Sequence, residues 1–339
     1  MKMIDSDQPF AILPNRVWRT YRGGATLEGI EGREGEDGHF PEDWVGSATR
    51  APNMGREGLV DEGVGRARGV DGAEYSMEEL YQGDPDKALG AAHVAAYGAQ
   101  PYLLVKLLDS AMRLHIQAHP SLAWAQAHLD ANSGKTEAWW ILGTRGAEGW
   151  VYLGFQHAPT LEEWRRIIDA QDIAAMEACF EKVPVQAGDV LLVAGGVPHA
   201  IGPGVFMVEI QEPTDYVVRC EYTHGGLELD EGARTMGLGL EKVIDLFDFS
   251  AYPLAEVKER FGPNRDCRRW SDQGGWSRAA VAAVVAVFFA GGIDRCGSSG
   301  ISRAGAVSAA ATGGLNAPRR SLYASLSAPV DARVERAGT

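Results

Sequence analysis

Three side chains with metal-binding atoms stand at alternate positions in the segment His115-Ile-Gln117-Ala-His119. On a β-strand, alternate residues share one face, so these three side chains are expected to point the same way. Gln117 and His119 can then offer an oxygen and a nitrogen to one metal ion. Because polar strands that bind no metal often carry such a pair, this segment alone is weak evidence for a metal site.

A lysine and a glutamate stand at the start of a later aromatic strand. Gly134-Lys135-Thr-Glu137 leads directly into the apolar run 138–142, and a carboxylate there is costly unless it is paired or bound to a metal. If the strand begins early, Lys135 shares a face with Glu137. A surface ion pair of little energetic weight explains the same two residues.

Two later segments also combine an apolar strand with isolated polar residues. His199 follows the strand and Gly-Gly turn of 188–196, where a lone histidine is more often structural than a ligand. Glu209 and Gln211 share a strand face with Met207, which indicates a polar-lined cavity. A strand edge that faces solvent explains the Glu209 face equally well.

The order and spacing of the four motifs are more specific than any single motif. They are Gln117/His119/Pro120, Gly134 to Glu137, Gly188/Asp189 followed by His199 to Gly202, and Glu209/Thr214/Asp215/Arg219. This series resembles the class I mannose-6-phosphate isomerases, which are zinc-dependent cupins, over about residues 10 to 225. The resemblance implies interconversion of mannose 6-phosphate and fructose 6-phosphate, with a hexose 6-phosphate as the ligand.

The resemblance also implies which residues form the site. It implies one Zn²⁺ per chain, and the ligands that it implies are Gln117, His119, Glu137 and His199. The catalytic residues that it implies are Arg219, Lys135 and Glu209.

The isomerisation moves a proton between C2 and C1 through an enediol, so it needs a base and a stabilised enediolate. Glu209 is the expected base, because burial would raise its pKa towards working pH, and Lys135 is the alternative. Arg219 can hold planar anionic oxygens of the enediolate or the phosphate with two parallel hydrogen bonds.

Two other functions fit parts of the same pattern. Two histidines, a carboxylate and an amide can also hold Fe(II), so a cupin dioxygenase is one alternative. A cupin that binds a sugar phosphate without turning it over is the other. His115 stands where the family usually has a small residue, which leaves this second alternative open.

The elements around these motifs predict a mainly β fold. Gly and Pro turns separate strand-like runs, which favours an antiparallel barrel or sandwich. The runs are 102–108, 114–119, 139–142, 183–193, 205–211 and 216–222. Helices are expected after the capping boxes at Ser76 and Thr160 and after Asp172, with Pro85 interrupting the first. Together with the resemblance, this predicts a cupin-type antiparallel β-barrel or jelly roll with added helices and a smaller C-terminal β region.

Two domains are predicted. Residues 1–250 are expected to form a catalytic cupin domain with helical insertions, and 251–339 a small C-terminal β domain that begins with a helix at 254–261. The strand pattern of the family's second domain is missing after about residue 265. From about 291 the sequence is rich in Ala, Ser, Gly and Arg, which predicts a poorly defined end.

Composition argues against several classes of protein. The 339 residues carry 46 acidic and 32 basic side chains, a net charge of −14 at pH 7, which argues against nucleic-acid binding. The four cysteines form no C-x-x-C pair, so no disulfide framework is expected. The apolar runs are too short for a bilayer span, and residues 1–10 lack the apolar core of a signal peptide. A cytoplasmic enzyme without a membrane partner is therefore expected.

Overall fold

The computed structural model describes residues 10–146 and 148–262, which belong to one compact unit, Met1–Ala282. Its main elements are two antiparallel sheets, of six and five strands, with helices added around them. The predicted mainly β class is confirmed. The described strands form separate sheets rather than one closed barrel, so the architecture is a two-sheet sandwich.

The strands are β1 (Phe10–Ile12), β2 (Arg16–Val17), β3 (Glu42–Val45), β4 (Arg66–Gly69), β5 (Glu74–Ser76), β6 (Leu104–Asp109), β7 (Gln117–Ala118), β8 (Glu137–Thr144), β9 (Gly149–Leu153), β10 (Val183–Val185), β11 (Val190–Val193), β12 (His199–Ile201), β13 (Val205–Gln211), β14 (Val218–Arg219), β15 (Thr223–His224) and β16 (Leu227–Glu228). The helices are α1 (Ala25–Ile30), α2 (Met77–Gly83), α3 (Pro85–Leu89), α4 (Ala91–Tyr97), α5 (Leu122–Leu129), α6 (Leu161–Asp169), α7 (Ile173–Ala178), α8 (Glu231–Thr235), α9 (Leu240–Val243) and α10 (Leu254–Phe261), with a 3₁₀ turn at Ile244–Leu246.

The six-stranded sheet has the order β11-β8-β13-β6-β3-β2. Its central strand β13 pairs with β6 on one side and with β8 on the other, so Glu209 lies opposite both Lys106 and Trp139. Residues that are paired across antiparallel strands share a face of the sheet, and so do alternate residues along one strand. Glu137 and Trp139 of β8 therefore face the same side as Met207 and Glu209.

The five-stranded sheet has the order β10-β9-β12-β7-β14. The short strand β7 lies between β12 and β14, where Gln117 pairs with His199 on one side and with Arg219 on the other. This register brings three polar side chains next to one another, although up to about a hundred residues separate them in the chain.

One hydrophobic core lies between the two sheets. Val151 and Ile201 of the five-stranded sheet are buried against Trp139 and Met207 of the six-stranded sheet. Each such side chain contributes about 1.5–3 kcal/mol when it is fully buried. The polar residues of the same strand faces lie at one end of this core, so an apolar interior supports a polar site.

Helices cover the outer face of the five-stranded sheet. The Thr160 hydroxyl accepts a hydrogen bond from the Glu163 amide and the Glu163 carboxylate accepts one from the Thr160 amide, so the predicted capping box starts α6. Trp164 of this helix is buried against Tyr152 and Ala200 of the sheet. The predicted caps at Ser76 and Asp172 are also present.

Most predicted elements are present, with changed bounds. Strand β13 and helix α10 have the predicted limits, and Pro85 ends α2 and begins α3. The run 183–193 divides into β10 and β11 at a turn where Gly188 has a φ of +93°, a conformation that favours glycine.

Residues 251–262 are the described part of the predicted C-terminal domain. Their helix α10 buries Val257 and Phe261 in the core between the sheets. Residues 263–339, with the tail from 291, lie outside the described residues, so the division into 1–250 and 251–339 stays a prediction. Within the described residues, no helix is long and apolar enough to cross a membrane.

Candidate active site

Two histidines and a glutamate from three chain segments meet inside the sandwich. One ligand atom each from His119, Glu137 and His199 lies within 4.8 Å of the others, and each residue is at most 1 % exposed. Glu137 Oε2 lies 3.3 Å from His119 Nε2, and Glu137 Oε1 lies 3.4 Å from His199 Nε2. Ligand atoms about 2.0–2.1 Å from a tetrahedral zinc ion are about 3.3 Å apart, so these spacings match a metal site.

Backbone carbonyls orient both imidazole rings. Nδ1 of His119 lies 2.8 Å from the Tyr216 carbonyl oxygen, and Nδ1 of His199 lies 2.9 Å from that of Val197. A proton on each Nδ1 leaves Nε2 unprotonated, as a metal ligand must be. Burial, with Lys135 as the next cause, lowers the pKa of His119 to about 3, and burial also lowers the pKa of His199. Both rings are therefore neutral near pH 7, as metal ligation requires.

Gln117, the fourth predicted ligand, lies beside this cluster. Its amide nitrogen is 3.4 Å from Nε2 of His199. A half-turn of the amide group exchanges its nitrogen and oxygen, which brings the carbonyl oxygen to the same side. The structure thus brings together all four residues that the resemblance implied as ligands.

Glu137 supplies the negative charge of the cluster. Its Oε1 accepts a hydrogen bond from the Trp139 indole at 3.1 Å, while Oε2 is buried and accepts no hydrogen bond from any described residue. The Lys135 ammonium lies 3.2 Å from Oε2 and 2.9 Å from His119 Nε2. Burial alone raises the pKa of Glu137, but the charge of Lys135 and the two imidazoles outweighs burial and holds that pKa well below its usual range.

These observations fit a divalent cation. The buried Oε2 atom of Glu137 has a lone pair that no described hydrogen-bond donor uses, and two neutral Nε2 atoms are aimed at the same carboxylate. Two imidazoles, a carboxylate and an amide oxygen are ligands that zinc accepts. The chemistry of this donor set therefore suits a metal ion held between the two sheets.

Glu209 lies beside this centre on β13. Its Oε1 is 3.0 Å from the Lys106 ammonium, and its Oε2 accepts a hydrogen bond from the Trp139 indole at 3.2 Å. Burial and the nearby charge of Glu137 raise the pKa of Glu209, although Lys106 acts in the opposite direction. The direction of this shift agrees with the role of a base that was predicted for Glu209.

A second ion-pair group stands next to Glu209. Lys106 also approaches Glu42 at 3.6 Å, and Arg19 approaches Glu42 at 3.3 Å. Two hydrogen bonds of 2.8 and 3.0 Å join Arg19 to both oxygens of Asp215. Burial raises the pKa of Asp215, but the Arg19 charge outweighs burial and lowers it.

A cavity opens onto these groups. Its lining includes Lys135, His119 and Gln117 on the metal side and Arg219 and His115 next to them. Arg219 donates a hydrogen bond of 2.6 Å to the carbonyl of Ala233 in α8. Burial, followed by the charge of Arg19, lowers the pKa of Arg219 to about 10, so Arg219 is still charged near pH 7.

The cavity is also lined by Arg19, Glu42 and Lys106, for which the sequence motifs indicated no role. A signal exists for Lys106, because it interrupts the apolar run of β6 and an unpaired charge inside such a strand is costly. Arg19 and Asp215 are 196 residues apart, and no local pattern indicates that they pair.

The chain is similar in sequence to proteins named mannose-6-phosphate isomerase. The chain is 33 % identical to the mannose-6-phosphate isomerase of Streptococcus mutans over 180 residues, and this match covers 52 % of the chain and 54 % of that protein. The chain is 35 % identical to a probable mannose-6-phosphate isomerase of Bacillus subtilis over 117 residues, and this match covers 34 % of the chain and 36 % of that protein. The chain thus spans about half the length of the curated relatives it matches, or less. No family model matches the chain.

Solved structures support the fold. A proposed mannosephosphate isomerase from Archaeoglobus fulgidus superposes with a TM-score of 0.57 at 21 % identity, over 76 % of this chain and 73 % of that one. A zinc-bound mannose 6-phosphate isomerase superposes with a TM-score of 0.50 at 15 % identity, over 73 % and 76 %. The sequence similarity confirms the resemblance that the four motifs indicated: over about half of its length the chain is similar to proteins named mannose-6-phosphate isomerase, and the solved structures share its fold.

Proposed function

We propose that this protein is a zinc-dependent aldose–ketose isomerase that interconverts mannose 6-phosphate and fructose 6-phosphate. The observation that carries the proposal is the buried cluster of His119, Glu137 and His199 beside a cavity that contains Lys135 and Arg219. The curated relatives named for this activity support the choice of substrate.

The proposal assigns one Zn²⁺ per chain to a site formed by Gln117, His119, Glu137 and His199. Bound there, the ion supplies a Lewis acid that polarises the oxygens of the sugar and stabilises the negative charge of the enediolate. The protein holds the two imidazoles by their Nδ1 atoms and Glu137 by the Trp139 indole, so these ligands are already oriented before the ion binds.

The charges of the cavity explain why the ion matters for binding. Four cations and four carboxylates lie at the site, so their formal charges cancel. They are Arg19, Lys106, Lys135 and Arg219, and Glu42, Glu137, Glu209 and Asp215. A divalent cation gives this group an excess of positive charge, which attracts a sugar phosphate in spite of the chain's net charge of −14.

Glu209 is the proposed base that moves the proton between C2 and C1. The Lys106 ammonium and the Trp139 indole hold its two oxygens, and its raised pKa favours proton transfer near neutral pH. Lys135 remains the alternative base. Arg219 is proposed to bind the enediolate or the phosphate, where its planar guanidinium can hold two oxygens.

The dioxygenase alternative has less support than the isomerase, because it leaves Lys135 and Arg219 without an anionic ligand in the cavity. A cytoplasmic location is part of the proposal. The described cysteines, Cys179 and Cys220, are free thiols, which is compatible with a reducing compartment.

A coupled assay of mannose 6-phosphate conversion to fructose 6-phosphate tests the proposal on the full-length protein. Metal content is measured before chelation, after chelation and after zinc is restored. Activity is expected to fall with the bound zinc and to return with it. Full activity in metal-free protein, or no turnover in zinc-loaded protein, would contradict the proposed function.

A further inference from the structure

One nitrogen atom of a residue that lines the cavity has no hydrogen-bond partner among the described residues. Nε2 of His115 is buried and forms no hydrogen bond with any described residue, and His115, which is 1 % exposed, lines the cavity. In either tautomer this atom is a hydrogen-bond donor or acceptor. A buried polar atom without a partner costs about 1–3 kcal/mol, so a ligand that pairs with this nitrogen recovers part of that cost.

The His115 ring packs against the ring of His224, and both ring nitrogens of His224 have polar partners. The His224 ring lies 4.4 Å from that of His115, tilted by 45°. Nε2 of His224 is 2.5 Å from the Arg113 carbonyl oxygen, and its Nδ1 is 3.2 Å from Oε2 of Glu221. Glu221 in turn accepts a hydrogen bond of 2.7 Å from the Ile116 amide. This network holds His224 against the His115 ring, whereas Nε2 of His115 has no hydrogen bond with any described residue.

The position of His115 places it beside the proposed metal centre without making it a ligand. It stands two residues before Gln117, just outside β7, and Gln117 pairs with Arg219 on β14. Among the described residues, the group with ligand atoms close enough to share an ion is His119, Glu137 and His199, without His115. A molecule that reaches from the metal side towards Arg219 therefore passes next to His115.

We propose that Nε2 of His115 forms a hydrogen bond with a hydroxyl group of the sugar phosphate bound in this cavity, which makes His115 a specificity-determining residue. The proposal rests on the proposed function for the identity of the ligand. A buried polar atom whose partner is supplied by the ligand is an arrangement by which a site recognises one hydroxyl.

Variants of His115 test the contact by kinetics. His115→Phe keeps an aromatic ring against His224 but removes the nitrogen, while His115→Gln keeps a polar group of similar reach. We expect kcat/KM for mannose 6-phosphate to fall about tenfold or more in His115→Phe, and to stay within a few-fold of the parent in His115→Gln. Equal values for the parent and His115→Phe would overturn the proposal.

Deoxy analogues separate a contact with the sugar from a structural role. Each analogue of mannose 6-phosphate lacks one hydroxyl group. For one analogue, the parent protein is expected to lose activity, whereas His115→Phe should lose nothing further, because the partner is already absent. If every analogue lowers kcat/KM by the same factor in both proteins, His115 contacts no hydroxyl group.

A binding measurement on the parent protein separates this proposal from the proposed function. In zinc-loaded protein labelled with ¹⁵N histidine, the His115 signal is assigned as the one lost in His115→Gln. Mannose 6-phosphate should shift the Nε2 resonance whether or not turnover occurs. A shift of the resonance without turnover supports the contact and overturns the isomerase. Turnover without a shift overturns the contact alone. If there is no shift and no turnover, both proposals are overturned.

Discussion

Nε2 of His119 and Oε2 of Glu137 lie 3.3 Å apart although they come from different sheets of the sandwich. His119 directly follows β7 of the five-stranded sheet, and Glu137 begins β8 of the six-stranded sheet. The proposed metal centre is therefore a link between the two layers of the fold, which ties its geometry to their packing.

Removing either imidazole should prevent stable metal binding. We expect His119→Ala and His199→Ala each to lower zinc affinity by more than the roughly 10- to 100-fold that is typical for loss of a group that only supports a ligand. Metal content after dialysis, measured by plasma mass spectrometry, checks this. Cys179→Ser, which changes a free thiol in the helical layer, is the control and should keep its metal. Full occupancy in both histidine variants would exclude them as ligands.

Loss of the Arg219 guanidinium should lower turnover strongly. We expect Arg219→Ala to reduce kcat/KM about 100-fold or more, because a positioned cation that stabilises developing charge has effects of this size. Arg219→Lys keeps the charge but not the planar pair of donors, so it should recover only part of the loss. Zinc content should be unchanged in both variants. Turnover of Arg219→Ala within a few-fold of the parent would show that the assigned role is wrong.

Glu209→Gln should separate the two candidate bases. It preserves the size of the side chain beside Trp139 and Lys106, but it removes the group that accepts the proton. We expect turnover to fall by about 10²- to 10⁴-fold, with deuterium from the solvent no longer entering the sugar at C1 or C2. The matched variant is Lys135→Met. If it stops the exchange while Glu209→Gln does not, Lys135 is the base.

Acid should destabilise the metal-free protein through its buried histidines. His119 has an ordinary pKa of 6.5 that is lowered to about 3 in the fold, so below pH 6.5 the unfolded chain takes up a proton that the folded chain does not. The free energy of unfolding therefore falls as the pH drops from 6.5 towards 3, by at most about 1.4 kcal/mol per pH unit for this group.

Urea unfolding between pH 7.5 and 5.0 measures this dependence, in a range that lies above the ordinary pKa of Glu137. His119→Gln should show a shallower slope, and the part that remains is expected from His199 and His115, whose pKa values burial also lowers. An identical slope in the parent and in His119→Gln would contradict the assigned titration.

Local sequence patterns predicted those elements whose causes are local. The Thr160 capping box and the apolar run of 205–211 lie within a few residues, and both elements formed as expected. The strand predicted at 114–119 is reduced to 117–118 because the Ile116 amide donates to the Glu221 carboxylate instead of to a neighbouring strand. That partner is 105 residues away, so the interruption has no signal near Ile116.

In the candidate site, too, some features were predictable from the sequence and others depend on contacts between distant residues. His119, Glu137 and His199 were identified through the family resemblance carried by the order of the four motifs, because each motif alone was weak evidence for a ligand. The Arg19–Asp215 pair and the contact between His115 and His224 depend on tertiary packing, and such contacts follow from the fold rather than from local spacing.

The pairing of β12 with β7 consists of one residue pair, and its members are His199 and Gln117. A slip of either strand by a single residue would turn its side chains to the opposite face, so the imidazole or the amide would leave the interior. A divalent ion can then bind only the correctly aligned sheet, and its binding energy favours that alignment over every shifted one. Zinc present during refolding should therefore raise the yield of native protein, in addition to any part that it plays in chemistry.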